Sequence, residues 1–388
     1  MPGSPWKAEK GLVIALVAGM VVLAILPCRF QARAGEHDAA RADAPNIACG
    51  EADPEYPHRR VVRYELGEGP RSYWLFEPAE PKPKRAAVVV FLHGWFAVNP
   101  AFYGAWIDHL VRSGRTVVFP RYQNDVGTLP REFLPNATAA IRDSLVVLET
   151  GAKHVRPDLQ RFALIGHSAG GNLAAQIAAV SSDPHSGLPQ PRLVVAFMPG
   201  EVFPSREPRL DRIPASTLLL VGVGDDDLLV GDLRGRQIFT LASAIPRSRK
   251  RYMLFRSDRH GYPPIVAEHT APTGANRRLD TGEGIFRTFQ MSLGEVNAMD
   301  RAGFWRIGDA ALETAFAGRT FDEAIRDEAR FTHLGYWSDG RKVVPPLISD
   351  NILTIPRVNL PNGIRMIPWD PNFLGDDAAH IEKPTRVR

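Results

Sequence analysis

Gly166-His167-Ser168-Ala169-Gly170 sets a serine between two glycines, the composition of a nucleophile held on a sharp turn. A free hydroxyl is a poor nucleophile until an imidazole takes its proton, and a carboxylate commonly orients that imidazole. Both residue types follow: the acidic run Asp225-Asp226-Asp227, then His260. Sterics account for the glycines. A serine held in a strained backbone conformation costs roughly 1–3 kcal/mol, and the turn closes only if the residues two before and two after lack bulk. A helix starting just after the serine would aim its first N–H groups at negative charge forming beside Oγ. The chemistry implied is acyl transfer through a covalent serine adduct.

With 33 glycines in the chain, G-x-S-x-G also arises by chance, so the elements around it must decide. Val61 to Leu66 and Ser72 to Phe76 read as two strands around a turn. Ala86 to Leu92 is a continuous β-branched run, the pattern of a parallel strand buried on both faces. Phe102 to Ser113 has helical spacing and a stop at Gly114, Thr116 to Pro120 is a buried strand, and Ala137 to Leu148 is an amphipathic helix. The strand Arg161 to Gly166 enters the serine turn and a small-residue helix leaves it. Leu193 to Phe197, Thr217 to Val223 and Arg251 to Arg256 add three more strands. The alternation predicts an α/β fold with a doubly wound, mostly parallel sheet, whose chemistry gathers at the carboxyl ends of the strands. His93-Gly94-Trp95, Ser168, Gly224 to Asp227 and Asp258 to Gly261 all fall at such ends.

With those residues in that order, residues from about 60 to about 265 resemble an α/β-hydrolase of the esterase, dienelactone-hydrolase and lipase type. Gly166-His167-Ser168-Ala169-Gly170-Gly171-Asn172 is similar to the nucleophile elbow of many bacterial esterases. His93-Gly94-Trp95-Phe96 departs from the His-Gly-Gly-Gly motif of the hormone-sensitive-lipase branch and looks more like the simpler His-Gly-x form. Gly224-x-x-Asp227-x-x-Val230 matches the family's acid loop. Gly222, Asp225 and Leu228 meet the same spacing two residues earlier; Asp227 is preferred because Asp225 would lie too close to the sheet to reach the imidazole.

The resemblance implies a serine hydrolase cleaving carboxylic esters: Ser168 as nucleophile, Asp227 as orienting acid and His260 as general base and acid. His269 is the nearest rival to His260, which is favoured by its place just beyond a strand end and before Gly261. The expected oxyanion donors are the N–H groups of Trp95 and Ala169. His93, Gly94, Phe96, Gly166, His167 and Gly170 build the elbow and pocket, with His167 pointing away from Oγ. The Trp95 and Phe96 rings either line the acyl pocket or pack under the first helix. An acyltransferase or peptidase would use the same triad, and a non-catalytic binding protein the same fold. The chain retains the serine, the histidines and the elbow glycines that degenerate members usually lose.

No His/Cys/Glu spacing suits a metal, and no glycine-rich phosphate loop is present, so the predicted reaction uses no cofactor. Lys7 and Lys10 precede an apolar run from Gly11 to Leu26, and Ala32-Arg33-Ala34 offers a cleavage site. Residues 1–34 thus read as an export signal giving a periplasmic or secreted protein, with a membrane anchor through residues 11–26 as the alternative. Removing that segment leaves 43 basic and 42 acidic residues, a net charge of +1, which gives no footprint for nucleic acid. The expected partner is a small-molecule or lipid-like ester. Residues 35–58 read as a linker, 59–318 as the hydrolase domain and 319–388 as a C-terminal helical and irregular extension packed on it. In that last third, Asn297 to Phe316 has helical spacing, and Thr320-x-x-Glu323 opens a second helix with a capping box. Gly200 to Ala215 is too short for an inserted lid, which predicts a cleft that is open or else covered by the C-terminal third.

Overall fold

The computed structural model describes residues 47–48, 55–124, 128–201, 209–294, 296–325 and 329–358; the leader read over residues 1–34 lies outside them. Nine strands form one sheet: β1 (Arg60–Leu66), β2 (Tyr73–Ala79), β3 (Arg85–Leu92), β4 (Arg115–Pro120), β5 (Arg156–His167), β6 (Leu193–Phe197), β7 (Leu218–Gly224), β8 (Lys250–Phe255) and β9 (Leu347–Ser349). Their spatial order is β9-β8-β7-β6-β5-β3-β4-β2-β1. β3 to β8 pair in parallel, while β1, β2 and β9 make the antiparallel pairs at the two ends. The fold is the doubly wound, mostly parallel α/β sheet that the alternation predicts.

Both faces are covered, which is why the central strands are apolar on consecutive residues rather than alternating. On one face Phe91, Phe119, Ile165, Val195 and Phe197 pack against α1 (Gly104–Arg112) and α5 (Arg306–Phe316). On the other, Val90, Leu92, Leu164, Val194 and Leu219 pack against α2 (Pro130–Thr150), α3 (Ala169–Val180) and α4 (Leu233–Leu241). Each large side chain so buried contributes roughly 1.5–3 kcal/mol.

Three elements differ from the reading of the sequence. Helix α2 begins at Pro130, seven residues before its amphipathic stretch, because Pro130 sits in the first turn where no N–H acceptor is needed. Pro135 lies inside the helix. The segment 297–316 starts as a π-helix, Met299–Trp305, before becoming α5. The C-terminal extension also enters the sheet, since β9 pairs antiparallel with β8 through Leu347–Leu254 and Ser349–Tyr252. At Thr320 the capping box forms as written: Thr320 N–H donates to Glu323 Oε2 at 2.6 Å, and Glu323 N–H donates to Thr320 Oγ1 at 3.3 Å. Among the described residues, no helix is long and apolar enough to cross a membrane.

Candidate active site

Strand β5 delivers the chain to Ser168, whose φ of 56° and ψ of −123° place it in a region that residues with side chains rarely adopt. The turn is held by its neighbours. Ser168 N–H donates to Phe197 O at 3.0 Å, and Gly200 N–H donates to Ser168 O at 3.1 Å. The glycines are steric necessities. A Cβ on Gly166 would lie 2.1 Å from Gly170 O, and one on Gly170 would lie 2.1 Å from Leu92 O. Helix α3 starts at Ala169, so the Ala169 N–H is among the donors that no helical carbonyl satisfies.

The imidazole at Ser168 belongs to His269, not His260. His269 Nε2 lies 3.0 Å from Ser168 Oγ, and its Nδ1 lies 2.8 Å from Asp227 Oδ2. Asp227 is fully buried at the end of β7, and its Oδ1 accepts the N–H groups of Leu229 (3.1 Å) and Val230 (3.0 Å). Those bonds fix the carboxylate, which accepts Nδ1–H and leaves Nε2 to take the Ser168 proton. Burial pulls the His269 pKa down, but the charge and hydrogen bond of Asp227, with Glu268, outweigh it and leave the pKa raised above its ordinary value.

The expectation for His260 is corrected by the path of the chain after β8. Instead of turning directly over the strand ends, residues 258–265 make an excursion closed by a bridge between Asp258 and Ile265. The chain returns at Ala267, whose carbonyl accepts Asp226 N–H at 3.2 Å and presses on Gly224, where a Cβ would lie 2.0 Å from it. His269 follows two residues later. His260 is left on the C-terminal extension: its Nε2–H donates to Asp339 Oδ2 (2.7 Å), and Arg341 Nη1 donates to its Nδ1 (2.8 Å). Asp225 and Asp226 point away from the site, to Ser257 and Arg259. The excursion has no hydrophobic period to betray its length, and only the presence of a second histidine signalled the alternative.

The His93-Gly94-Trp95-Phe96 loop lies against the elbow: a Cβ on Gly94 would meet Ser168 Cβ at 3.4 Å. The N–H of Gly94 donates to Tyr103 Oη and that of Phe96 to Gln123 Oε1, both at 2.8 Å. Phe96, at φ 62°, stacks on Trp95 with centroids 4.5 Å apart and meets Phe286 edge-on at 5.6 Å. His93 is buried with its nitrogens on the carbonyls of Gly94 (2.6 Å) and Arg121 (2.7 Å); those contacts favour the charged ring, but burial, first, and the Arg121 charge outweigh them and push its pKa down to about 4. His167 also points away from Oγ, its Nδ1 on Tyr103 Oη (2.8 Å) and its Nε2 on His269 O (2.7 Å).

The chain beyond His269 walls this side of the site. Ala105 N–H donates to Gly274 O and Asn276 N–H to Ala101 O, both at 2.8 Å, and Asn99 Nδ2 donates to Asp280 Oδ1 at 2.8 Å. That run carries Phe286 onto Phe96. Among the described residues, no three His, Cys, Asp or Glu side chains are grouped to hold a metal ion.

Residues 89–222 match the family model of the alpha/beta hydrolase fold. The match and the nine-stranded sheet agree on an α/β-hydrolase fold. The matched stretch runs from β3 into β7 and so contains the elbow and the loop at His93, but neither Asp227 nor His269. No curated protein matches the chain.

Proposed function

We propose that this α/β hydrolase is a serine esterase that works through Ser168, His269 and Asp227. The observation that carries the reading is the file of hydrogen bonds from Ser168 Oγ through His269 to buried Asp227, at 3.0 and 2.8 Å, on a strained elbow. Ser168 Oγ attacks the acyl carbonyl while His269 Nε2 takes its proton, and Asp227 stabilises the imidazolium. The carbonyl oxygen becomes an oxyanion between the N–H groups of Ala169 and Trp95. As the tetrahedral adduct collapses, the C–O bond to the alcohol breaks, and His269 hands its proton to the departing oxygen. Water then attacks the acyl-serine with His269 as base, which frees the acid and restores Ser168.

The Trp95, Phe96 and Phe286 rings beside the His93 loop favour an apolar acyl group and a small or lipid-like ester. The leader composition supports export of the mature chain, with a membrane anchor as the alternative. A fluorophosphonate probe should label the native protein and not Ser168→Ala or, at comparable rate, His269→Ala, and p-nitrophenyl esters of increasing chain length should be hydrolysed. Hydrolysis should fall on the order of 10⁶-fold in Ser168→Ala. Labelling of Ser168→Ala at full stoichiometry would reject the assignment. Turnover that depends on an added alcohol or amine acceptor would instead identify an acyltransferase, and cleavage of peptides without esters a peptidase.

A further inference from the structure

His167 is adjacent to the nucleophile yet takes no part in the file of bonds at Oγ. It is buried, and both ring nitrogens are committed: Nδ1 lies 2.8 Å from Tyr103 Oη, and Nε2 lies 2.7 Å from the carbonyl oxygen of His269. Tyr103 is fully buried and also accepts the Gly94 N–H at 2.8 Å. The hydrogen positions follow from donor and acceptor chemistry. A carbonyl only accepts, so His167 Nε2 carries the proton. Burial and the neighbouring His269 hold the His167 pKa well below its ordinary value, so the ring is neutral and Nδ1 is bare. Tyr103 must therefore donate its O–H to Nδ1 while accepting from Gly94. The file runs Gly94 N–H to Tyr103 O–H to His167, and from His167 N–H to His269 O, with every group satisfied and no net charge.

We infer that His167 and Tyr103 are positioning residues that lock the backbone of His269, and with it the imidazole, to the elbow and to the His93 loop. The inference rests on the reading of Ser168, His269 and Asp227 as the catalytic groups. Its physical need is plain. His269 lies on a segment with no strand register to place it, beyond an excursion closed by one bridge. His167 lies in β5 at the end of the sheet's interior, a rigid reference one residue from Oγ. A bond from that ring to the His269 carbonyl makes the base and the nucleophile share one frame. The same file reaches Gly94, so the loop proposed to bind the oxyanion is set in that frame too. Displacement of a reacting group by about 1 Å can cost roughly 100-fold in rate.

The test separates the rate of reaction from the amount of folded protein. Fluorophosphonate labelling should be followed to its endpoint in Tyr103→Phe, His167→Leu and His167→Gln, beside steady-state hydrolysis of a p-nitrophenyl ester. Tyr103→Phe and His167→Leu should reach the native labelling endpoint but 10- to 100-fold more slowly, with kcat reduced and KM nearly unchanged. His167→Gln, whose amide can donate to His269 O and accept from Tyr103, should recover most of the rate. A merely structural role would lower the endpoint or the melting temperature and leave the rate per folded site unchanged; that result overturns the inference. If His167→Leu does not fold, Tyr103→Phe, which deletes one oxygen, decides alone: native rate means the file does not position His269. If Ser168→Ala is labelled, the reading of the site itself fails. If Ser168→Ala is inert while Tyr103→Phe is native in rate, only the inference fails.

Discussion

Asp227 and His269 meet through Oδ2 and Nδ1 at 2.8 Å, 42 positions apart in sequence, with the carboxylate shut off from solvent. Two opposing effects act on the imidazole. Burial disfavours its charged form, whereas the carboxylate favours it, and the carboxylate prevails. The mechanism proposed above needs this base neutral, so activity should rise with pH as His269 loses its proton, along a limb set above the ordinary histidine value.

Asp227→Asn should therefore change both the height and the position of the pH profile. Without the carboxylate only burial remains prominent, so the acid limb of kcat/KM should move to lower pH. The amide also permits the wrong tautomer, and kcat should drop by about 10⁴. Asp225→Asn and Asp226→Asn should leave the limb in place, because both carboxylates serve Ser257 on the approach to the excursion. Their cost should appear as stability, about 1–3 kcal/mol for a charged hydrogen bond. Profiles of the three variants, with circular dichroism on each, check this; an unmoved limb in Asp227→Asn would show that the titrating base is a different group.

His260 and His269 give a direct contrast. His260→Ala should keep kcat within about twofold and cost less than about 1 kcal/mol, as expected for a partly exposed pair with Asp339. His269→Ala should abolish turnover while remaining folded. Parallel ester assays and melting curves decide the pair, and loss of activity in His260→Ala with retention in His269→Ala would reverse the assignment.

That contrast also marks where the sequence stops being informative. The parallel strands were legible because burial on both faces writes continuous apolar runs such as Ala86 to Leu92. The elbow was legible because close backbone approaches at Gly166 and Gly170 admit no other residue. The position of a histidine on an irregular segment carries no such signature: residues 258–265 have no period, and their bridge to one another is a backbone event. The edge strand β9 was hidden for a related reason. Three residues in a Pro-rich stretch become a strand only because β8 presents an open edge to them. Nor does any local pattern reveal that Tyr103 reaches Gly94 and His167, which are 9 and 64 positions away.

The elbow makes a steric prediction. In Gly170→Ala the methyl would sit 2.1 Å from Leu92 O and 2.4 Å from His93 O, backbone atoms at the end of β3 and the start of the His93 loop. Neither can yield without moving β3 or α3, so the variant should lose more than about 3 kcal/mol. A Cβ on Gly171 comes no nearer than 3.2 Å to Gly166 O, and Gly171→Ala should be much milder. Denaturant unfolding of the two variants tests the ranking; equal stability would mean that the elbow is looser than these contacts require.

His93 should make the fold sensitive to acid. It is buried neutral, with a pKa pushed down to about 4 by burial against an ordinary value near 6.5. Between those two values the unfolded chain binds a proton at this position that the folded chain does not. Stability therefore rises with pH across the window, is complete above about 6.5, and is lost as pH falls toward 4. The loss attributable to His93 is roughly 3 kcal/mol, at 1.36 kcal/mol per pKa unit. His269, with its raised pKa, works in the opposite sense, since its protonated form favours the folded state as pH falls. The readout is thus the difference between the native protein and His93→Gln, which cannot titrate. Unfolding free energies measured from pH 7 to pH 4 should converge as the pH falls, with the native protein losing the larger share. Parallel curves would mean that His93 titrates alike in the folded and unfolded chains, and the stacked packing of its ring on Tyr122 at 4.1 Å would then have to hold a charge at low pH.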